Sequence, residues 1–431
     1  MGTQRMRDIP TTPQAISQKS LFRRRLAALW AILLVMGPGI ITSNVDNDAG
    51  GIATYSLAGA QYGLQVMWSM IPICFLLIVV QEMCARMGVV TGKGLSDLIR
   101  ERFGVKFTFY LMIVMFLTNL GNTVSNFAGI AAALEIFNVS RFVTVPLIIM
   151  FLLWLVVKGN YVTVEKIFLT GCVFYISYVI AGFLVDPEWT DVIGSLTKPT
   201  IRWETDYLVM LVGLVGTTIA PWMLFYLQSS VVDKGLGLKD LKPARLDVII
   251  GSVVVTIVAF FIILVCAATL HKAGVRIETA EEAAMALRPL AGPYCTLLFA
   301  FGLLNASLLA SSILPISTSY TLCEAFGWES SLDAKFSQAP QFYGLYCFMV
   351  ILSGLVILAP NLPLIAIMFW SQVLNGVVLP AILIFMILLT NDRSLMKSHK
   401  NGLFLNIVSW IAVVILIGLS GVMICFSLAG K

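Results

Sequence analysis

Charge is what this sequence has least of. Charged residues make up 12% of its 431 positions, against about 25% in a soluble domain. Histidine occurs twice, at His271 and His399, which excludes a histidine-built metal or catalytic cluster. None of the eight cysteines forms a Cys-x-x-Cys pair, so no thiolate metal centre or redox motif is written here. They fall within or beside apolar runs and read as small core residues. No His/Asp/Glu cluster or nucleophile arrangement appears, which argues against an enzyme and against a resident cofactor. Long polar stretches are missing after residue 25, so no separate soluble output domain is present to suggest a sensor.

What fills the chain is hydrophobic, at 59% of residues. A spanning helix needs about 20 apolar residues. That measure predicts an all-α integral membrane protein with eleven spans, at 27–62, 65–91, 106–137, 142–158, 163–185, 206–231, 245–271, 292–323, 342–359, 363–390 and 402–428. Residues 1–25 form a basic tail without the features of a cleavable signal. Basic residues set the orientation. With the N-terminus cytoplasmic, the Lys and Arg outside the cytoplasmic segments are Arg141, Lys198, Arg202, Lys272, Arg276, Arg288 and Lys431. The rest of the 28 lie inside. The net charge of +5 follows from this bias and needs no nucleic acid partner. The expected location is the plasma (inner) membrane.

Two spans are interrupted. Residues 43–52 read Ser-Asn-Val-Asp-Asn-Asp-Ala-Gly-Gly-Ile within the first. Asp46 and Asp48 would sit near the bilayer midplane, where a charge costs roughly 2.5–3.5 kcal/mol on insertion scales. Gly50 and Gly51 favour unwound backbone at the same point. Such backbone is tolerated at membrane depth only where it lines a cavity or is buried in protein. The sixth span carries Gly213, Gly216, Thr217, Thr218, Ala220 and Pro221, and Pro221 breaks the helical hydrogen bonding. Interruptions at corresponding positions of two five-helix halves point to an inverted-repeat transporter with a midplane site. The halves are 26–185 and 206–390, with an eleventh helix at 402–428. Freed carbonyls around Val45 and before Ala220 would face each other and coordinate a cation.

Particular stretches carry a family resemblance. Gly37-Pro38-Gly39 with Asp48-Ala49-Gly50-Gly51-Ile52-Ala53-Thr54 and Ala58-Gly59-Ala60-Gln61-Tyr62-Gly63 resembles the first helix of the natural resistance-associated macrophage protein (NRAMP) family. So does Cys84-Ala85-Arg86-Met87-Gly88-Val89-Val90-Thr91-Gly92-Lys93. Ser371-Gln372-Val373-Leu374 with Leu379-Pro380 resembles its tenth helix. The resemblance implies a LeuT-type fold of five plus five helices and one more, with helices 1 and 6 unwound at midplane. It implies import of divalent metals with protons.

The chain departs from the family pattern at the ligands. Asp-Pro-Gly-Asn becomes Asp48-Ala49-Gly50-Gly51, which keeps the aspartate and loses the asparagine. Met-Pro-His becomes Ala220-Pro221-Trp222, which loses a thioether and a histidine. The acidic residues of span 3 are replaced by the neutral stretch Asn122 to Asn126. This combination resembles the NRAMP-related magnesium transporter branch. Oxygen donors suit Mg²⁺, Ca²⁺ and Mn²⁺, whereas a thioether favours softer ions. Mg²⁺ keeps several of its waters, so an enlarged pocket would fit it partly hydrated.

The reading is thus a Mg²⁺ and Mn²⁺ importer without proton coupling. The resemblance implies Asp48, Val45, Thr217 and Gln372 as ligands. It leaves Gly51 and Ala220 as space, Trp222 as one wall, and Asp46 and Asn47 as groups that attract or orient the hydrated ion. A proton-coupled transition-metal importer and a LeuT-type amino-acid or amine symporter stand as alternatives.

Overall fold

The structure is a computed structural model and describes residues 45–158, 172–329 and 336–428. Every regular element among them is helical. Helix α1 (Ala49–Tyr62) ends at Gly63, whose φ of 58° turns the chain into a short 3₁₀ segment, Gly63–Ser69, and then α2 (Met70–Thr91). An amphipathic helix, α3 (Leu95–Phe103), leads to the 31-residue α4 (Val105–Glu135). There follow α5 (Arg141–Lys158), α6 (Ile176–Leu184) and α7 (Trp189–Thr197). The second half contains α8 (Thr205–Thr218), α9 (Pro221–Asp233) and α10 (Leu241–Cys266), which runs on into a π-turn at Ala267–His271. It closes with α11 (Cys295–Phe326), α12 (Pro340–Ile357), α13 (Leu364–Asn391) and α14 (Leu403–Leu428).

Eight helical stretches among the described residues are long and apolar enough to cross a bilayer, where the sequence reading expects eleven spans. The difference has identifiable sources. Expected spans 1 and 2 are joined through the 3₁₀ segment into one run, Ala49–Thr91, and Arg141–Val156 is a shorter apolar helix. Spans 27–62 and 163–185 lie partly outside the described residues. The eighth expected span, 292–323, ends in polar residues that the interior accommodates. Thr318, Ser319 and Thr321 in α11 are buried, and each returns its hydroxyl to the carbonyl four residues back.

Burial ranks the helices. The apolar window of Thr205–Asp233 is 100% buried, whereas that of Leu403–Cys425 is 28% buried. A helix apolar all round belongs in the interior, so α8 and α9 are central and α14 faces lipid. Around the centre, α4 packs on α11 and α13, α8 on α13, and α10 on both α1 and α2. At the far end of α2 a buried guanidinium ties the periphery in. Arg86 reaches Glu82 at 3.0 Å, Asn401 Oδ1 at 2.6 Å and the His399 carbonyl. Arg245 of α10 meets the same Glu82 at 2.8 Å.

Candidate functional site: two helix breaks joined at Gly51

The first break follows from an aspartate placed where a helix must begin. Asp48 is the N-cap of α1, with φ −72° and ψ −172°. Its Oδ1 accepts from Gly51 N at 2.8 Å, satisfying one of the orphan amides at a helix start. The helix dipole favours an anion at this end. Ala49 N, another early amide, donates to Asn126 Oδ1 on α4 at 3.2 Å. The second break mirrors it. Helix α8 stops at Thr218, Ile219 and Ala220 leave the helical region, and Pro221 opens α9 at a position that needs no amide donor. Ile219 N closes on the Val215 carbonyl. The carbonyls of the last α8 turn, Thr217 among them, have no intrahelical donor left.

The two breaks meet around Gly51. A Cβ placed on Gly51 would lie 2.9 Å from the Asp46 carbonyl oxygen, 3.4 Å from Thr217 Oγ1 and 3.7 Å from Asp48 Oδ1. Oxygens from both interrupted spans thus converge on one backbone position. Tyr55 of α1 and Thr218 of α8 are hydrogen-bonded through their hydroxyls at 2.8 Å. The Thr218 hydroxyl also faces the Leu214 carbonyl at 2.8 Å, so its hydrogen is committed there and Tyr55 is the donor to it.

Val45, Asp46, Asn47, Asp48, Thr217, Ala220 and Trp222 are all buried. Both Asp46 carboxylate oxygens, Asn47 Oδ1 and Thr217 Oγ1 lack hydrogen-bond partners among the described residues. Neither Asp46 nor Asp48 forms an ion pair there. A buried charge left unpaired is strongly unfavourable, so this pair of carboxylates presents a demand for a cation.

Two expectations are modified. Gly51 does not leave open volume in this conformation, because the Asp46 carbonyl occupies the approach its missing side chain permits. Gly50 likewise admits the Gln372 amide, which a Cβ would overlap. The space expected at Gly51 is therefore taken up by main chain. Gln372 stands beside the break, but its amide nitrogen lies against Gly50. Its oxygen accepts from Asn375 Nδ2 at 2.8 Å. Trp222 is the second residue of α9, just beyond the break, with Ser317 Oγ donating to its carbonyl at 3.3 Å. The nearby thioether of Met223 is turned to Gln81, 4.0 Å away.

Sequence reasoning missed several partners. Asn126 donates to Asp48 Oδ2 at 2.9 Å. Tyr175 donates to the Asn47 carbonyl. Asn126 was visible as a polar residue in a span, yet only the packing of α1 on α4 reveals what it binds. Tyr175 gave no signal. Beyond the end of α1 away from the break, a cavity of about 800 Å³ is lined by Tyr62, Thr205, Asp206, His271 and Trp370, among others. Among the described residues no three His, Cys, Asp or Glu side chains gather as a metal cluster. The donors at the break are carboxylate, carbonyl and hydroxyl oxygens.

The profile of the natural resistance-associated macrophage protein-like family matches residues 39–426. The chain belongs to the NRAMP family. Relatives named divalent metal cation transporter MntH include that of Bacillus subtilis, 23% identical over 95% of this chain and 96% of its own length. That of Deinococcus radiodurans is 26% identical over 93% and 91%. Among solved structures, the Eremococcus coleocola manganese transporter superposes with a TM-score of 0.70 at 20% identity, covering 95% of this chain and 87% of that one. Mhp1, a nucleobase-cation-symport-1 family transporter, superposes with a TM-score of 0.57 at 15% identity, over 90% and 92%. The NRAMP chain has the LeuT-type membrane-transporter fold, with its two interruptions in the first and sixth spans.

Proposed function

We propose that this NRAMP-family protein is a divalent metal-ion transporter that imports Mg²⁺ and Mn²⁺ through the joined breaks. The observation that carries the reading is the convergence of Asp48, the Asp46 carbonyl and Thr217 on Gly51, all three presenting oxygen. Hard oxygen donors suit Mg²⁺ and Mn²⁺. The names of the MntH relatives and of the solved manganese transporter support a divalent metal as cargo.

In this reading Asp48 is the anionic ligand and Asp46 adds a second negative charge, so that together they balance a divalent ion. Val45 and Thr217 contribute carbonyls. Asn47 orients the ion's water. Gln372 joins as a ligand, directly or through water, when its amide turns to bring oxygen toward Gly50. Ala220 leaves room for water that a larger side chain would displace, and Trp222 walls the site. Relative movement of the two halves, 26–185 and 206–390, gives alternating access. The protein sits in the plasma membrane with its N-terminus cytoplasmic.

Transport runs without protons. The sixth span has Trp222 where the family pattern has histidine, and α4 faces the site with amides, which do not titrate. A potential negative inside still assists, since each charge moved is worth about 2.3 kcal/mol per 100 mV. The test is metal uptake into proteoliposomes that hold a pH dye. Saturable Mg²⁺ and Mn²⁺ uptake with a flat internal pH is expected, and Asp48→Ala abolishes it. Internal acidification that tracks Mn²⁺ and disappears in Asp48→Ala would overturn the uncoupled reading. Amines or amino acids displacing Mg²⁺ would overturn the choice of cargo.

A further inference from the structure

Asn126 has no exposed surface, and both ends of its amide reach the first break. Its amide nitrogen donates to Asp48 Oδ2 at 2.9 Å and to the Asn122 carbonyl at 2.9 Å, while its oxygen accepts from Ala49 N at 3.2 Å. These partners determine which way the amide points. Interchanging its oxygen and nitrogen would set an oxygen against two oxygens and an NH₂ against an N–H. The carboxylate of Asp48 is thereby held at both ends, with Gly51 N on Oδ1 and Asn126 on Oδ2. Each oxygen keeps a lone pair for a ligand.

The hold is neutral, and that is its chemical point. An Arg or Lys in this place would orient Asp48 equally well but would cancel the charge that attracts a cation. A carboxamide orients the group and leaves its charge intact. Asn126 is in turn braced. Asn122, one turn earlier on α4, exchanges hydrogen bonds with Asn375 at 2.7 and 3.0 Å, and Asn375 reaches Gln372 Oε1. Hydrogen bonds thus extend from Asp48 to α13 through Asn126, the Asn122 main chain and side chain, and Asn375. Three residues after Asn126, a Cβ on Gly129 would collide with Ala49 and Ser307, so the α4 backbone itself abuts the break.

We propose that Asn126 is a positioning residue of the ion site. It presets the Asp48 carboxylate toward the break, with one hydrogen bond on each oxygen and its full charge available to a divalent cation. The proposal rests on the reading of Asp48 as the ion's ligand.

The full chain in proteoliposomes tests it, with Mg²⁺ and Mn²⁺ uptake measured over a range of concentrations. Asn126→Leu keeps the volume and removes the donor. It is expected to raise the half-saturation concentration for both ions about tenfold, the effect of losing a hydrogen bond to a charged group. The maximal rate falls much less. Asn126→Ser, whose hydroxyl can act through a bridging water, recovers part of the loss. A purely structural role would lower folded yield and maximal rate with the half-saturation concentration unmoved, and that result for either folded variant overturns the proposal. It also falls if neither variant accumulates as monodisperse protein. If Asp48→Ala retains saturable uptake, the site reading itself fails. If Asp48→Ala is dead while Asn126→Leu has the parental half-saturation, only the present inference fails.

Discussion

Gly216 on α8 and Gly376 on α13 lie backbone to backbone. A Cβ on Gly216 would overlap the Gln372 carbonyl and the Gly376 amide, and one on Gly376 would overlap the Val212 carbonyl. The obstructing atoms are main chain, so no side-chain rotation relieves them. Gly216→Ala or Gly376→Ala should therefore force the two helices apart, at about 1–3 kcal/mol, the usual scale of overpacking. Thermal unfolding in detergent will show lowered midpoints for both. An unchanged midpoint for either would mean that α8 and α13 are not in this contact in the membrane protein.

Ala220→Met should change which ions compete. It brings a soft thioether to the edge of the second break, where the donors are otherwise oxygen. Cd²⁺ should become a stronger inhibitor of Mn²⁺ uptake and Mg²⁺ a weaker one. Pairing it with Gly51→Asn is a poor design, because the Asp46 carbonyl stands 2.9 Å from the new Cβ. That double variant should lose folded protein before it reports on selectivity. The same inhibition order in Ala220→Met as in the parent would remove Ala220 from the site.

Tyr55→Phe removes one hydroxyl and little else. That hydroxyl ties α1 to α8 through Thr218 and is not one of the three oxygens nearest a Cβ on Gly51. The expected result is an altered maximal uptake rate with a nearly parental half-saturation concentration. The magnitude should be modest, as a neutral hydrogen bond contributes about 0.5–1.5 kcal/mol. A raised half-saturation at constant maximal rate would place Tyr55 at the ion instead.

Both breaks were legible in the sequence because each violates a rule that apolar spans obey. Asp46 and Asp48 bring charge to a place where charge is unfavourable, and Pro221 removes an amide that a helix interior needs. Such violations are local and survive without knowledge of the fold. What was not legible is how the violations are compensated. Asn126 lies 78 residues from Asp48 in the chain, and Tyr175 lies 128 residues from Asn47. Neither separation leaves a periodic trace. Gly51 misled for a related reason: small residues signal that something comes close, but not whether it is water or the Asp46 carbonyl. The turn at Gly63 was legible too, since the sequence reading ends one span at 62 and begins the next at 65, where the structure turns through a 3₁₀ segment.

Arg86 and Arg245 share Glu82 but should not share its importance. Arg86 is 2% exposed and Arg245 is 43% exposed. Arg86→Leu strips the partly buried Glu82 carboxylate of its buried cation and leaves the Asn401 and His399 oxygens without their donor. Breaking a buried pair in this way costs about 3–5 kcal/mol. Arg245→Leu should cost only about 0–1 kcal/mol, as an exposed pair does. Thermal midpoints of the two variants should fall in that order. Equal losses would mean that solvent reaches Arg86.

The anchoring of Arg86 by Asn401 and His399 also bears on how the chain is made. Those two oxygens belong to the loop before α14, near the end of the polypeptide. Until that loop emerges, a nascent chain holds a guanidinium inside the bundle with Glu82 as its partner and two donors idle. A chain without that loop is for that reason less settled around Arg86 than the finished protein, and the approach to α14 completes the surroundings of a helix far from it in sequence. Chains that contain α2 but stop before Asn401 lack both of these acceptors, even where both helix breaks have already been made.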